Sequence, residues 1–115
     1  MVPEPDDRTG MQSWVDQPVA DIGEVLQALA DPIRLSIVRA LADSDGELAC
    51  GMFDLPVGKP TLSHHFRVLR EAGLIASRME GTRKLIRLRR DDIDAAHPHL
   101  VDAVLGSGRV AATPG

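Results

Sequence analysis

The chain has 115 residues and a formal net charge of −4, with 43% hydrophobic and 26% charged residues. These values predict one small globular domain, and no apolar run approaches the roughly 18 residues that a membrane-spanning helix needs. The single cysteine, Cys50, excludes an internal disulfide framework, and the acidic start MVPEPDDRTG is unlike a secretory signal, so we expect a cytoplasmic protein.

The charged residues are segregated along the chain. Residues 1–58 carry 3 basic and 11 acidic side chains, residues 59–90 carry 9 basic and 2 acidic ones, and residues 91–115 carry 1 basic and 4 acidic ones. A merely solvated surface would mix the two signs, whereas a basic block inside an acidic protein is typical of a surface that contacts a polyanion. The basic block, residues 59–90, therefore predicts a contact with nucleic acid.

The N-terminal part of the chain predicts an arm followed by two helices. Residues 1–17 are rich in Pro, Asp, Glu and Gly, which is typical of a flexible arm. Asp21 has the spacing of a capping box at the start of a helix over residues 22–30. Asp31 is the expected cap of the next helix, with Pro32 in its first turn. One apolar stripe of that second helix is made by Ile33, Ile37, Val38 and Leu41.

The middle of the chain predicts a short helix and then a longer one. The short helix is expected over residues 47–53, before an irregular segment. Pro60 can start the longer helix, which runs to about Ala72, and Gly73 is placed to close it in a left-handed conformation.

The basic block ends in a predicted hairpin. Two strands, Leu74–Met79 and Lys84–Leu88, are joined by a turn at residues 80–83. Pro98 is expected to open a terminal helix through Leu105, followed by a flexible tail over residues 106–115. This order of elements predicts an α+β, predominantly helical fold in which a helix-turn-helix precedes a two-stranded wing.

The helix that follows Pro60 separates its two adjacent histidines. On a helical wheel His64 and Arg67 point away from the apolar side, which holds Leu62, Phe66 and Leu69. His64 and His65 point about 100° apart, so they do not converge on one metal ion as ligands at i and i+4 would. We interpret His64 as a group exposed to DNA, and His65 either as a half-buried packing residue with one polar contact or as a second DNA contact. No nucleophile with a base and an orienting acid lies nearby, so we do not expect an enzyme.

Three motifs resemble those of one family. The segment TLSHHFRVLREAGLI, residues 61–75, resembles the recognition helix of the ArsR-type (arsenical-resistance repressor) family. Residues 29–35, LADPIRL, resemble its early-helix signature, and residues 80–83 lie where its wing tip belongs; the resemblance covers about residues 22–95. It implies a homodimeric winged helix-turn-helix repressor that binds a palindromic operator in double-stranded DNA and releases it on a chemical signal. The composition, with 11 arginines against 2 lysines and frequent alanine, indicates a GC-rich bacterial genome.

The resemblance also implies which residues contact DNA. The recognition set would be Lys59, Thr61, Ser63, His64 and Arg67. The wing and phosphate contacts would be Arg78, Arg83, Lys84 and Arg87, for each of which a structural surface role is the alternative. One departure is that the chain has about three more residues before Ser63 than the common family turn. We expect this extra length to change how the first helix of the motif is set against the second.

Metal or thiol sensing by the same fold is an alternative function. A soft-metal site needs two or three thiolates, so Cys50 could contribute to one only across a dimer. The other metal candidates are Asp94, His97 and His99, but Pro98 splits this segment and no histidine follows His99. We therefore predict no cofactor and leave the inducer open. A second alternative is a winged-helix protein-interaction module that does not bind DNA.

The expected organisation is a DNA-binding and dimerisation domain over residues 18–105 between the arm and the tail. The first helix and the terminal helix are expected to pair two subunits. The residues expected at that contact are Ile22, Val25, Leu26 and Leu29, with Leu100, Val101, Val104 and Leu105.

Overall fold

A computed structural model of the chain describes residues 17–111 and the side chains of residues 17–106. Within these residues, five α-helices and three strands follow one another as α1 (Ile22–Leu29), α2 (Pro32–Asp43), β1 (Glu47–Ala49), α3 (Lys59–Glu71), β2 (Ile75–Glu80), β3 (Arg83–Leu88), α4 (Arg90–Ala96) and α5 (Leu100–Ala111). The strands form one antiparallel sheet in the order β1-β3-β2. The predicted α+β winged helix-turn-helix fold is confirmed, and the wing is the hairpin β2–β3. Except for Gln17, the predicted arm lies outside the described residues.

The first two helices begin at the caps that the sequence predicts. The backbone amide of Glu24 donates to Oδ1 of Asp21 at 3.1 Å. Oδ2 of Asp31 accepts from the amides of Ile33 at 2.8 Å and Arg34 at 3.1 Å. Each carboxylate thus satisfies amides that have no partner within the first turn of its helix, and its charge is favourable at the positive end of the helix dipole.

The end of α3 and the tip of the wing both use left-handed glycines. Gly73 has φ +78° and follows the last turn of α3, where the amide of Leu74 donates to the carbonyl of Leu69 at 3.0 Å. Gly81 has φ +64° in the two-residue turn between β2 and β3. Both positions avoid the steric cost that a Cβ atom brings in this region, and both were expected as turns.

Residues 47–53 differ from the prediction. The short helix expected there is wrong, because Glu47–Ala49 forms β1 and is followed by a single 3-10 turn over Cys50–Met52. β1 pairs with Leu85–Arg87 of β3, so its extended conformation is supplied by hydrogen bonds to a segment far away in sequence. As a result, α3 is preceded by one short turn and an extended loop instead of a full helix.

The C-terminal part also differs from the prediction in its helix bounds. Residues 90–96 form α4, which was not predicted and has Asp91 and Asp92 in its first turn. α5 begins at Leu100 and not at Pro98, and it continues to Ala111, beyond the expected end at Leu105. The first residues of the expected tail therefore belong to a helix, and residues 112–115 lie outside the described residues.

One hydrophobic core lies between the helices and one face of the sheet. It contains residues from α1 to α5, and the largest fully buried side chains are Val25, Ile37, Leu41, Leu69, Leu74, Ile75, Ile86 and Ile93. The stripe expected on α2 is largely confirmed, since Ile37, Val38 and Leu41 are buried and Ile33 is half-buried. Across residues 17–111, none of the helices is long and apolar enough to cross a membrane.

Candidate nucleic-acid interface

α3 has one exposed polar face and one buried apolar face. We call the exposed set the reading face; it consists of Lys59, Thr61, Ser63, His64 and Arg67, all of which are exposed. On the opposite side His65, Phe66 and Leu69 are buried. The reading face therefore presents ammonium, hydroxyl, imidazole and guanidinium groups to solvent while the other face of the same helix holds it against the core. These are the groups that hydrogen-bond to base edges and phosphates.

The loop before α3 packs against its buried face. The rings of Phe53 and Phe66 meet edge to face, with centroids 5.2 Å apart and an interplanar angle of 66°. The loop from Phe53 to Gly58 carries the extra length noted in the sequence. With Cys50 and Leu62 it lines an open groove of about 420 Å³ beside the start of α3. Residues 44–58 contain no Lys or Arg, so this loop brings no side-chain cation to a polyanion.

His65 lies at a junction between three helices. The residue is 8% exposed, and its Nδ1 atom lies 3.2 Å from Nη1 of Arg34 and 3.9 Å from Oδ2 of Asp31. Of the two interpretations of His65, the packing residue with one polar contact matches this position, although the residue is buried and not half-buried as expected. The pKa of Asp31 is held below its ordinary value, chiefly by the hydrogen bond from the Arg34 amide. The hydrogen bond from the Ile33 amide and the nearby side chains of His65 and Arg34 lower this pKa further, whereas partial burial raises it.

The C-terminal end of α3 is fixed by a buried arginine. Nη1 of Arg89 donates to the carbonyl of Gly73 at 2.9 Å and also to the carbonyl of Gln17. Its Nη2 atom lies 3.1 Å from Oδ2 of Asp92, at the start of α4. The amide of Ala20 donates to the carbonyl of Ala72 at 3.0 Å. The segment before α1, the end of α3 and the start of α4 are therefore connected around one guanidinium.

The four basic residues predicted on the wing occupy different positions. Arg83 is exposed beside the tip, and Lys84 follows it half-buried. Arg78 is half-buried, with Nη2 4.0 Å from Oε2 of Glu80. Arg87 is half-buried at the other end of β3, about 13 Å from Arg83 at ~3.3 Å per strand residue. The structure thus brings Arg83 and Lys84 together at the tip and does not bring Arg87 there.

Arg87 has an acidic residue next to it across the sheet. Its register partners are Ala76 on β2 and Glu47 on β1, so the three side chains share one face. Opposite charges directly across an antiparallel pair stabilise the pairing of the strands. This position favours a structural role for Arg87, which was the alternative to a phosphate contact in the sequence analysis.

The basic block is smaller in space than in sequence. Of its nine cations, Arg89 is buried against Asp92, and Arg90 forms an ion pair with Asp102. Both carboxylates belong to the acidic segment that follows the block, so the charge count over residues 59–90 overstates the positive charge available to a partner. Apart from Arg90, the exposed cations of the block lie on the reading face and at the wing tip. They are Lys59, Arg67 and Arg83.

Comparison with known proteins identifies the family. A family model described as bacterial regulatory protein, arsR family, matches residues 31–77. The Uncharacterized HTH-type transcriptional regulator YceK of Bacillus subtilis is 37% identical over 83 residues, which are 70% of this chain and 83% of that protein. This chain belongs to the ArsR family. The Arsenical resistance operon repressor of Staphylococcus xylosus is 33% identical over 82 residues, 70% of this chain and 77% of that protein. The HTH-type transcriptional repressor SmtB of Mycobacterium tuberculosis is 36% identical over 89 residues, 77% of this chain and 64% of that protein.

Membership of the ArsR family establishes the class of activity. The chain is a DNA-binding transcriptional regulator and not an enzyme. The matched residues run from the cap of α2, through α3, into β2, and so include the whole reading face.

The metal candidates of this ArsR-family protein are not gathered into one ligand set in the part of the chain that the structure describes. No three His, Cys, Asp or Glu side chains come together there in a group that could hold a metal ion. His97 is half-buried, with Nε2 2.8 Å from the carbonyl of Ala20. His99 is exposed with φ +67°, Asp94 is half-buried, and Cys50 is a half-buried thiol near the start of α3.

Sequence reasoning missed the residues that hold the reading face in place. Arg89 was counted only as part of the basic block, and Arg34 only as part of a family motif. The one sequence signal for Arg34 was its position in the first turn of α2, three residues after Asp31. The signal for Arg89 was its spacing of three residues from Asp92. Neither spacing predicts the other partners: those of Arg34 lie in α1 and α3, and those of Arg89 lie just before α1 and just after α3.

Proposed function

We propose that this ArsR-family protein is a homodimeric repressor that binds a palindromic operator, with α3 of each subunit in the major groove and the wing tip against the flanking backbone. The observation that carries the proposal is the reading face: its five polar side chains are exposed along the first turns of α3, and His64 and Arg67 point away from the side that is buried. A helix of this diameter fits the major groove, where its side chains can hydrogen-bond to base edges. The relatives named as repressors support the direction of regulation.

The apolar surfaces of α1 and α5 support the homodimer. Ile22 and Leu26 are 45% and 49% exposed and lie four residues apart, so they form one ridge on α1. Leu29 of α1 lines an apolar cleft together with Leu100 and Val104 of α5, which connects that ridge to the terminal helix. A second copy of the chain would cover this surface, and two reading faces would then meet two half-sites about one helical turn apart.

The operator and the reading face can be tested together by selecting tight-binding duplexes from a random library with the wild-type protein. The salt dependence of binding to a selected duplex would then be measured for the wild type and for Arg83→Gln, His64→Ala and Arg67→Ala. Arg83→Gln is expected to reduce the slope of log affinity against log salt by about one, since it removes about one phosphate contact. His64→Ala and Arg67→Ala are expected to weaken binding to the selected duplex by about tenfold each.

Arg90→Gln is the matched control for charge removal. It takes away one exposed cation from the same basic block, but that cation is paired with Asp102. The control is expected to leave the slope unchanged. Selection that yields no enriched sequence, or equal slopes for Arg83→Gln and the wild type, would count against the proposed interface.

The homodimer is tested by sedimentation velocity of a Leu26→Glu variant. A carboxylate on the α1 ridge would be buried without a partner in the dimer, so the variant is expected to be monomeric and to bind the selected duplex at least tenfold more weakly. Met52→Glu is the control, because Met52 is 64% exposed and lies away from α1 and α5 in sequence. A dimeric Leu26→Glu variant would contradict the proposed subunit contact.

A further inference from the structure

The side chain of Arg34 lies where α1, α2 and α3 meet. Its Nε atom donates to the carbonyl of Ala28 at 2.6 Å, and its Nη2 atom donates to the carbonyl of Gln27 at 3.4 Å. Its Nη1 atom lies 3.2 Å from Nδ1 of His65 on α3. A guanidinium group carries five N–H donors in one plane, so a single side chain can serve these three acceptors together. Its positive charge is also favourable at the C-terminal end of α1.

The contact fixes the proton arrangement of His65. A guanidinium group can only donate, so in the neutral form of the ring Nδ1 of His65 accepts from Arg34 and the ring proton lies on Nε2. Asp31 lies on the same side of the ring, and its position is fixed by the two amides that it caps at the start of α2. The buried side of α3 is therefore held by directional polar contacts in addition to apolar packing.

The direction of His64 depends on the rotation of α3 about its own axis. His65 and His64 are adjacent, so a contact that fixes the ring of His65 also fixes the direction in which His64 leaves the helix. A rotation of about 20° would move a side-chain end about 6 Å from the helix axis by about 2 Å. That displacement exceeds what a hydrogen bond to a base edge tolerates. Long, flexible cations that contact phosphates would follow such a movement.

We propose that Arg34 and His65 are positioning residues for base recognition: their contact sets the rotation of α3 relative to α1 and α2, and so gives the reading face its sequence specificity. The proposal rests on the proposed use of α3 as the reading helix. It assigns a function to two residues outside the reading face. Since Arg34 also holds the last carbonyls of α1, a movement of α1 would change the same contact.

The test compares two duplexes of equal length, one obtained by selection with the wild type and one with the same bases scrambled. His65→Leu removes the acceptor and keeps most of the apolar volume. It is expected to lower affinity for the selected duplex about tenfold and affinity for the scrambled duplex by less than about twofold, with an unchanged salt slope. His65→Asn is expected to restore most of the specificity, because Oδ1 of asparagine can accept in place of Nδ1.

Two further variants separate positioning from general stability. Arg34→Lys keeps the charge but replaces the planar fork with one ammonium group, so it is expected to lose specificity in the same way as His65→Leu. Arg39→Lys is the matched control, since the half-buried Arg39 lies on the same helix as Arg34 but its Nη1 atom donates to the carbonyl of Leu105 on α5, at 3.1 Å, and not to α1 or α3. It is expected to keep affinity for the selected duplex within about twofold of the wild type. Affinities are referred to the folded fraction measured by circular dichroism.

The possible outcomes distinguish this inference from the proposed function. If His65→Leu lowers affinity for both duplexes equally, or if asparagine gives no rescue, the positioning role is wrong. If His65→Leu leaves the selected duplex bound as in the wild type while His64→Ala weakens it, α3 still reads the operator but the contact does not position it. If His64→Ala and Arg67→Ala also bind normally, the assignment of the reading face itself fails.

Discussion

Replacing Gly73 with alanine tests the joint at which α3 ends. Gly73 has φ +78°, and an added Cβ atom would lie 2.6 Å from Cα of Val19 and still closer to the carbonyl oxygen of Pro18. Both are backbone atoms, so no side chain can rotate away to make room. The segment before α1 would have to move from the end of α3.

The expected cost of Gly73→Ala has two parts. The left-handed conformation costs a residue with a Cβ atom about 1–2 kcal/mol. Displacing the segment before α1 breaks the 3.0 Å hydrogen bond from the Ala20 amide to the Ala72 carbonyl, worth about 1 kcal/mol. Together these lower the free energy of unfolding by about 2–3 kcal/mol, which corresponds to a fall in the melting temperature of roughly 10–15 °C for a domain of this size.

Thermal and urea unfolding followed by circular dichroism measure this cost, and Gly81→Ala provides the control. Gly81 has φ +64°, but no heavy atom lies within 4 Å of its added Cβ atom, so its substitution isolates the backbone cost of about 1–2 kcal/mol. The reasoning requires Gly73→Ala to be the more destabilising change by at least about 1 kcal/mol. Equal effects at the two positions would show that the close approach of the segment before α1 does not contribute to stability.

Three further predictions concern the contacts around α3. The pKa of Asp31 is lowered in the folded chain, so its carboxylate stabilises the fold above the ordinary carboxyl pKa, and this stabilisation is lost as the pH falls through the lowered pKa. The urea midpoint of the wild type should therefore fall relative to that of Asp31→Asn below about pH 4. Parallel pH curves for the two proteins would contradict this. Arg89→Met should lower the free energy of unfolding by about 1–3 kcal/mol, because the Gly73 carbonyl loses its buried donor. Asp92→Asn, at the exposed end of the ion pair with Arg89, should lower it by less. The reverse order in denaturant unfolding would refute this. Phe53→Leu should cost about 1 kcal/mol by removing the edge-to-face contact with Phe66, and an unchanged unfolding midpoint would show that the loop does not stabilise α3.

The elements predicted correctly are those whose causes lie close together in sequence. The caps at Asp21 and Asp31, the left-handed Gly73 and the two-faced α3 each depend on residues within about one or two helical turns. β1 could not be predicted in this way, because three residues are too few to show a period and their strand conformation comes from pairing with β3. Local signals in the sequence therefore predicted α1, α2 and α3 correctly and failed at β1, the edge strand that precedes α3.

Sequence reasoning was limited in the same way for the individual basic residues of the candidate interface. The sequence placed His64 and Arg67 on the exposed face of α3, because the helical period alone determines that face. It gave no reason to separate Arg83, at the exposed tip, from Arg87, opposite Glu47, or to remove Arg89 from the basic block. Those distinctions depend on strand register and on carboxylates in other elements. Charge counts along a sequence therefore locate an interface more coarsely than the geometry does.

The arrangement around α3 has a consequence for how DNA binding can be regulated. The helix is fixed by the core packing of Phe66 and Leu69, by Arg89 at its C-terminal end, and by Arg34 through His65. All three contacts lie behind the reading face, and two of them connect α3 to the segments at the two ends of α1. A signal that displaces α1 or the segment before it would therefore change the orientation of the reading face without touching DNA, because the same guanidinium groups contact both. In the proposed mode of binding, a rotation of α3 that its base contacts do not tolerate would release DNA while the domain stays folded.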